Sequence, residues 1–186
     1  MRTALAALAA LTIALATPAL AAGKFTLKSS DVKQGAMLTD QQVFNGFGCS
    51  GANVSPELSW ENPPAGAKSF VVTVYDPDAP TGSGWWHWVV YDIPASAQGL
   101  PRGAGSGQGA LPEGAKQGRT DFGQPGFGGA CPPPGDKPHR YVFTVHALKL
   151  PSLGAPADAS PAMIGFMTKA NSLGSASITA KYARKK

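Results

Sequence analysis

The sequence predicts a mainly β fold, and three observations carry that prediction. Five runs rich in apolar and β-branched residues stand between Gly, Pro, Asn and Ser punctuation. Charged residues are only 15% of the chain, while Gly (23) and Pro (17) are both abundant; that mixture suits short strands joined by shaped loops better than a helical bundle. A single segment carries clear helix signals.

In chain order the strands are KFTLKS (24–29), SFVVTVYD (69–76), HWVVYDI (87–93), HRYVFTVHAL (139–148) and ASITAKYA (176–183). The second, third and fourth are nearly continuous in apolar character, as strands covered on both faces are. The helix starts at Ser160 as cap with Pro161 in its first position. Met163, Phe166, Met167 and Ala170 fall at helical spacing and are expected to face the core, and Gly174 is expected to end the helix. Residues 99–118, GLPRGAGSGQGALPEGAKQG, lack the flanks and the Lys-Ser/Thr of a phosphate-cradling loop and read as a mobile surface loop. DFG at 121–123 stands alone, without the rest of a kinase. Asn53-Val54-Ser55 matches a glycosylation sequon, but Pro56 follows it.

Residues 1–21, MRTALAALAALTIALATPALA, read as a secretory signal peptide: Arg2 is the charged n-region, 3–16 the apolar stretch and Ala19-Leu20-Ala21 the cleavage motif. The segment is short for a membrane span and has no basic flank on its C-terminal side. Residues 22–186 then form one exported domain, periplasmic or secreted, with no stable membrane insertion after cleavage. The formal net charge is +5, and it falls to +4 without Arg2. Lys181, Arg184, Lys185 and Lys186 fill a basic tail, 181–186, that reads as solvated. The body is therefore near neutral, which excludes a nucleic-acid surface. Cys49 and Cys131 are the two cysteines. In an oxidising compartment one disulfide is the simplest account, with two free buried thiols as the alternative. The bridge would close a loop of about 83 residues, worth roughly 4–5 kcal/mol in the chain-entropy picture. Neither cysteine has a close partner at metal-ligand spacing, so no metal or other cofactor is expected.

The polar residues that carry chemistry gather in YDPDAPTGSGWWHWVVYDIP (75–94). Asp76 ends one strand and His87 begins the next, so antiparallel pairing puts both at one end of a sheet. Pro77 and Pro80 stiffen the connection; Gly82 and Gly84 let it turn back. By period two His87 shares a face with Val89 and Tyr91, and His139 with Tyr141 and Phe143. Taken alone, His87 reads as a structural histidine bonded to Asp76 or Asp78. The segment GFGGACPPPGDKP (126–138) before His139 can be neither a helix nor a central strand, and it reads as an irregular wall. His146 faces away from His139 and reads as a packed or rim histidine; Trp60 and Trp88 read as core. Arg140 is expected in a buried ion pair. Asp78 reads equally as a loop cap or a pocket group.

DPDAP (76–80), GWWHW (84–88), CPPPGDKPHRY (131–141) and NGFGCSGANVSPELSW (45–60) together resemble the phosphatidylethanolamine-binding protein (PEBP) family, in its bacterial Raf-kinase-inhibitor-like branch. The resemblance runs through essentially the whole chain after the leader. It implies a large central antiparallel sheet, a smaller second sheet and a few peripheral helices. It also implies a small anion-binding pocket at one end of the central sheet, formed by Asp76, Asp78, Ala79, Pro80, Trp85, His87, Pro132, His139 and Tyr141, with a cis bond at Ala79-Pro80. Where the family usually has Tyr-Gly-Gly-Pro before the cysteine, this chain has Phe127-Gly128-Gly129-Ala130, so a hydroxyl and a ring are expected to be missing from the wall.

The function these features imply is binding of a small phosphate-bearing or other anionic ligand, with Asp76 orienting His87. The alternative is an inhibitor or signalling partner of an envelope or host protein, since some members of the resembled family inhibit kinases or proteases. A phosphoester hydrolase using Asp76, His87 and His139 is disfavoured, because it needs a nucleophile held by a base or a metal with an open position. The expectation is a binding protein and not an enzyme.

Overall fold

The computed structural model describes residues 23–186; the leader expected over 1–21 lies outside them. Among the described residues no helix is long and apolar enough to cross a membrane. The central sheet is antiparallel and five-stranded. β5 (Ser69–Asp76) lies between β9 (His139–Leu148) and β6 (Trp85–Pro94), and β10 (Ser172–Tyr182) and β8 (Lys116–Gln117) form the edges. A three-stranded sheet joins β1 (Thr26–Lys28), β4 (Leu58–Glu61) and β7 (Gly99–Leu100), and a short hairpin pairs β2 (Asn45–Gly46) with β3 (Cys49–Ser50).

The runs at 69–76 and 139–148 are strands over those same residues. Being apolar at nearly every position, β5 and β6 bury both faces. Phe70, Val72, Val74, Trp88, Val90, Tyr141 and Phe143 point into the layer between the two sheets, where Leu27, Leu58, Trp60 and Leu100 meet them. Val71, Val89 and Tyr91 point the other way, against Leu153, Ala159 and Ile164. Burial of each large side chain contributes about 1.5–3 kcal/mol, so this two-sided core holds the central strands, and the pocket end with them, in place.

The helix α1 (Pro161–Asn171) starts as expected, with the Ser160 hydroxyl accepting from the Met163 amide at 3.1 Å, a cap worth about 1 kcal/mol. Its buried face differs from the expected one. Pro161, Ile164 and Thr168 are buried, whereas Met163 is 47% and Phe166 75% exposed. Ile164, a spacing of three from Pro161 and four from Thr168, faces the core; of the expected stripe Met167 packs against the edge of that core, while Met163 and Phe166 lie further around the helix. Gly174 does not end the helix; the chain passes straight into β10 at Ser172, and Gly174 sits at an irregularity in the β10–β9 register.

Two further expectations change. The Gly-rich stretch 99–118 is a surface loop only in its middle. It begins as β7, buries Gly103, Ala104 and Gly105, and ends as β8. Gly103 N–H and Gly105 N–H donate to the backbone and hydroxyl oxygens of Ser55, and a Cβ on Gly105 would stand 2.5 Å from the Trp88 ring. The basic tail is also part of the fold. Lys181 lies in β10, and Arg184 donates to the Pro132 carbonyl at 2.6 Å and the Gly48 carbonyl at 2.9 Å.

Strand β6 carries one residue more than β5 near their pocket end. Val74 pairs with Trp88 and Tyr75 with Trp86, so His87 is the extra residue of a bulge. A bulge reverses side-chain parity along a strand. It therefore separates His87 from Val89 and Tyr91, with which period two had grouped it, and turns it to the side of Asp76 and Tyr141.

Candidate ligand-binding pocket

The pocket is a cavity of about 180 Å³ at the end of β5, β6 and β9. The β5–β6 connection forms one rim. The Asp76 carboxylate accepts from the Asp78 amide at 2.8 Å, the Thr81 amide donates to the Ala79 carbonyl at 2.8 Å, and the Tyr75 hydroxyl donates to the Ser83 carbonyl at 2.6 Å. Gly84 turns at φ +70°, in the left-handed region, against the Tyr75 ring. Ala79–Pro80 is trans, like every described peptide bond. The cis bond implied by the family resemblance is therefore absent, and the turn closes on a trans bond with these local hydrogen bonds.

Eight of the nine residues expected here line the cavity: Asp76, Ala79, Pro80, Trp85, His87, Pro132, His139 and Tyr141. Asp78 does not. Its carboxylate is held by the guanidinium of Arg140 at 2.7 and 2.8 Å and by the Arg140 amide at 2.9 Å, and these bonds pull its pKa down to about 2. The expected ion pair of Arg140 thus exists, but at the surface. His146 is half-buried on the other side of β9, where burial lowers its pKa to about 4.

The histidines are held differently from the sequence expectation. His139 Nδ1 lies 2.7 Å from Asp76 Oδ2, and its Nε2 lies 3.4 Å from Asp136. His87 Nδ1 donates to the Gly128 carbonyl at 2.7 Å, so Asp76 does not orient it. Burial is the largest influence on His87 and holds its pKa below the ordinary histidine value, against the opposing pull of the Gly128 carbonyl and Asp76. A neutral ring with Nδ1–H committed presents Nε2 as an acceptor. The Tyr141 hydroxyl is buried and lies near the Cys131 backbone without a hydrogen bond of good geometry. Burial first, and Asp76 second, push its pKa up, so it stays a phenol and a donor. The lining therefore offers the Tyr141 hydroxyl as a donor, His87 Nε2 as an acceptor and the Asp76 carboxylate, with no Lys or Arg in it.

The opposite wall is covalently tied. Cys49 and Cys131 are bridged, joining the β2–β3 hairpin to the segment before His139. The amide of Asn53 holds the same wall, accepting from Gly129 N–H at 2.7 Å and donating to the Phe127 carbonyl at 3.2 Å. Phe127 itself is buried against Trp88 in the core. The rings at the pocket come instead from Phe47 and Phe122. Nothing in the sequence marked either, because Phe47 sits in the two-residue turn between β2 and β3 and Phe122 in an irregular loop, where there is no periodicity to read. Among the described residues no three His, Cys, Asp or Glu side chains are placed to hold a metal ion.

A family model described as phosphatidylethanolamine-binding protein matches residues 28–183. The chain is 53% identical over 171 residues to the UPF0098 protein YbcL of Escherichia coli K12, covering 91% of this chain and 93% of that one. It is 55% identical over 157 residues to E. coli YbhB, covering 84% and 99%. A Mycobacterium tuberculosis protein named as a lipoprotein, LppC, is 38% identical over 147 residues, covering 76% and 66%. Among solved structures, E. coli YbcL, described as a new member of the mammalian PEBP family, superposes with a TM-score of 0.85 at 54% identity, over 88% of this chain and all of that one. With the family model spanning nearly the whole described fold, this chain belongs to the phosphatidylethanolamine-binding protein family.

Proposed function

We propose that the chain is a binding protein that takes the headgroup of a small phosphate-bearing ligand into the Asp76–His87–His139–Tyr141 cavity. One observation carries the reading: a buried, unpartnered Tyr141 hydroxyl in a solvent-reachable cavity beside His87. A buried donor without a partner costs about 1–3 kcal/mol, a loss that a ligand oxygen would recover. The acceptors are accounted for too. A singly protonated phosphate donates its O–H to His87 Nε2 or Asp76 and accepts from Tyr141, so the site needs no lysine or arginine to hold it. Binding without hydrolysis is supported by the side chains: Cys131 is in the disulfide, and the Thr81 hydroxyl donates to the Gly84 carbonyl at 2.5 Å, so neither is poised as a nucleophile with a base.

The reading includes export to the periplasm or medium. Its support is the leader sequence, a disulfide suited to an oxidising compartment and a relative named as a lipoprotein. Calorimetric titration with phosphorylethanolamine tests the binding: it should bind the unsubstituted chain and bind His87→Ala at least tenfold more weakly. Equal affinity for both proteins would refute the assignment.

A further inference from the structure

The pocket has a neighbour. A second cavity of about 260 Å³ adjoins it, and the two share Phe47 and Phe122 as walls. Phe44, Phe127 and Pro125 complete its apolar lining. Of its polar side chains, Thr120 is already committed, donating to the Gln124 carbonyl at 2.9 Å. A substituent attached to an anion in the first cavity would have to pass Phe47 and Phe122 to reach this aromatic recess.

Phe47 is an unusual residue for its position. It and Gly48 form the two-residue turn between β2 and β3, with φ +51° and +77°. Turns of this kind take Asn-Gly or Gly-Gly, because both central residues are left-handed. A phenylalanine there is strained and, at 71% exposure, its ring gains little burial in return. The fold nevertheless fixes the turn that carries the ring. The Cys49–Cys131 bridge anchors one strand of the hairpin, Arg184 clasps the Gly48 and Pro132 carbonyls together, and the ring lies near-parallel to Phe122 at 5.9 Å. Phe122 is fixed in turn, edge-on to Trp85 at 5.5 Å and to His87 at 5.4 Å. It sits so close to Gly128 that a Cβ there would stand 2.2 Å from the ring. Strain, exposure and triple anchoring of one aromatic at the junction of two cavities call for a role in binding.

We infer that Phe47 is a specificity-determining residue: with Phe122 it makes the adjoining cavity a hydrophobic subsite, so that the protein selects phosphate monoesters carrying a short apolar substituent over free phosphate. The inference rests on the headgroup reading of the first cavity, and the probes below separate the two. The oxidised full chain is titrated calorimetrically with inorganic phosphate, phenyl phosphate and hexyl phosphate. At least one ester should bind about tenfold more tightly than inorganic phosphate, and the phenyl and hexyl arms tell an aryl from an alkyl preference. In Phe47→Gly, which suits the turn's left-handed backbone, the ratio of ester to phosphate affinity should fall towards one while the unfolding midpoint does not drop. Phe122→Leu should lower the same ratio. Equal binding of all three probes by the unsubstituted chain, or an undiminished ratio in Phe47→Gly, overturns the subsite and leaves the headgroup site standing. Failure of every probe to bind overturns both.

Discussion

Asp76 holds His139 through a 2.7 Å contact between Oδ2 and Nδ1, while His87, nearer in sequence, is held at the same distance by the Gly128 carbonyl. The two imidazoles therefore play different parts. His139 is clamped between carboxylates, whereas His87 keeps one nitrogen free for a ligand.

Asp76→Asn should weaken both fold and site. Asparagine can still accept from the Asp78 amide, but the buried charge-assisted contact to His139 is lost. The expected cost is about 1–3 kcal/mol, read as a lower urea midpoint, together with weaker phosphorylethanolamine binding.

Tyr141→Phe should move stability and affinity in opposite directions. The hydroxyl is buried without a partner, so its removal should leave the unfolding free energy unchanged or raise it by about 1 kcal/mol. Phosphorylethanolamine should bind several-fold more weakly. A parallel loss of both would mean that the hydroxyl has a structural partner.

Acid should weaken the fold through His146. Its folded pKa is lowered by burial to about 4 from the ordinary 6.5. Between those values the unfolded chain binds more protons than the folded one, so stability falls as pH drops from about 6.5 to about 4 and is insensitive to this group below that. His87, also lowered by burial, acts in the same direction. Denaturation midpoints across this range should fall less steeply in His146→Leu than in the unsubstituted chain.

Ligand affinity has the opposite pH trend. A phosphate ester loses its second proton with a pKa of about 6, and the dianion has no proton to give to His87 Nε2 or Asp76. Phosphorylethanolamine binding should therefore weaken as pH rises from about 5 to about 8, followed by calorimetry. Affinity that rises over the same range would point to a dianion-binding site.

Reduction of the Cys49–Cys131 bridge should lower stability by about 4–5 kcal/mol in the chain-entropy picture, since the bridged cysteines are 82 residues apart. Guanidinium unfolding with and without reductant measures it. Cys49→Ser/Cys131→Ser should match the reduced protein.

Much of this molecule follows from local sequence. The strands at 69–76 and 139–148 are legible because β-branched and aromatic residues run unbroken between turn-formers, and the start of α1 because Ser160-Pro161 is a cap of short-range chemistry. Asp76 and His87 could be placed at one end of the sheet from the short connection between their strands, whereas His139 and Tyr141 joined them only through the family resemblance. Other features rest on contacts between distant segments. One unpaired residue in β6 decides which way His87 points, and no period in the sequence marks it. The choice of Asp76 for His139, the docking of Arg184 across Gly48 and Pro132, and the meeting of Phe47 with Phe122 each join residues far apart in the chain. The buried face of α1 was likewise set by the sheet it covers and not by its own apolar spacing. Residue types and their periods determined the strands and the chemistry available to the pocket; register, bulge and long-range packing decided where each side chain is aimed, because those depend on the surface that arrives opposite.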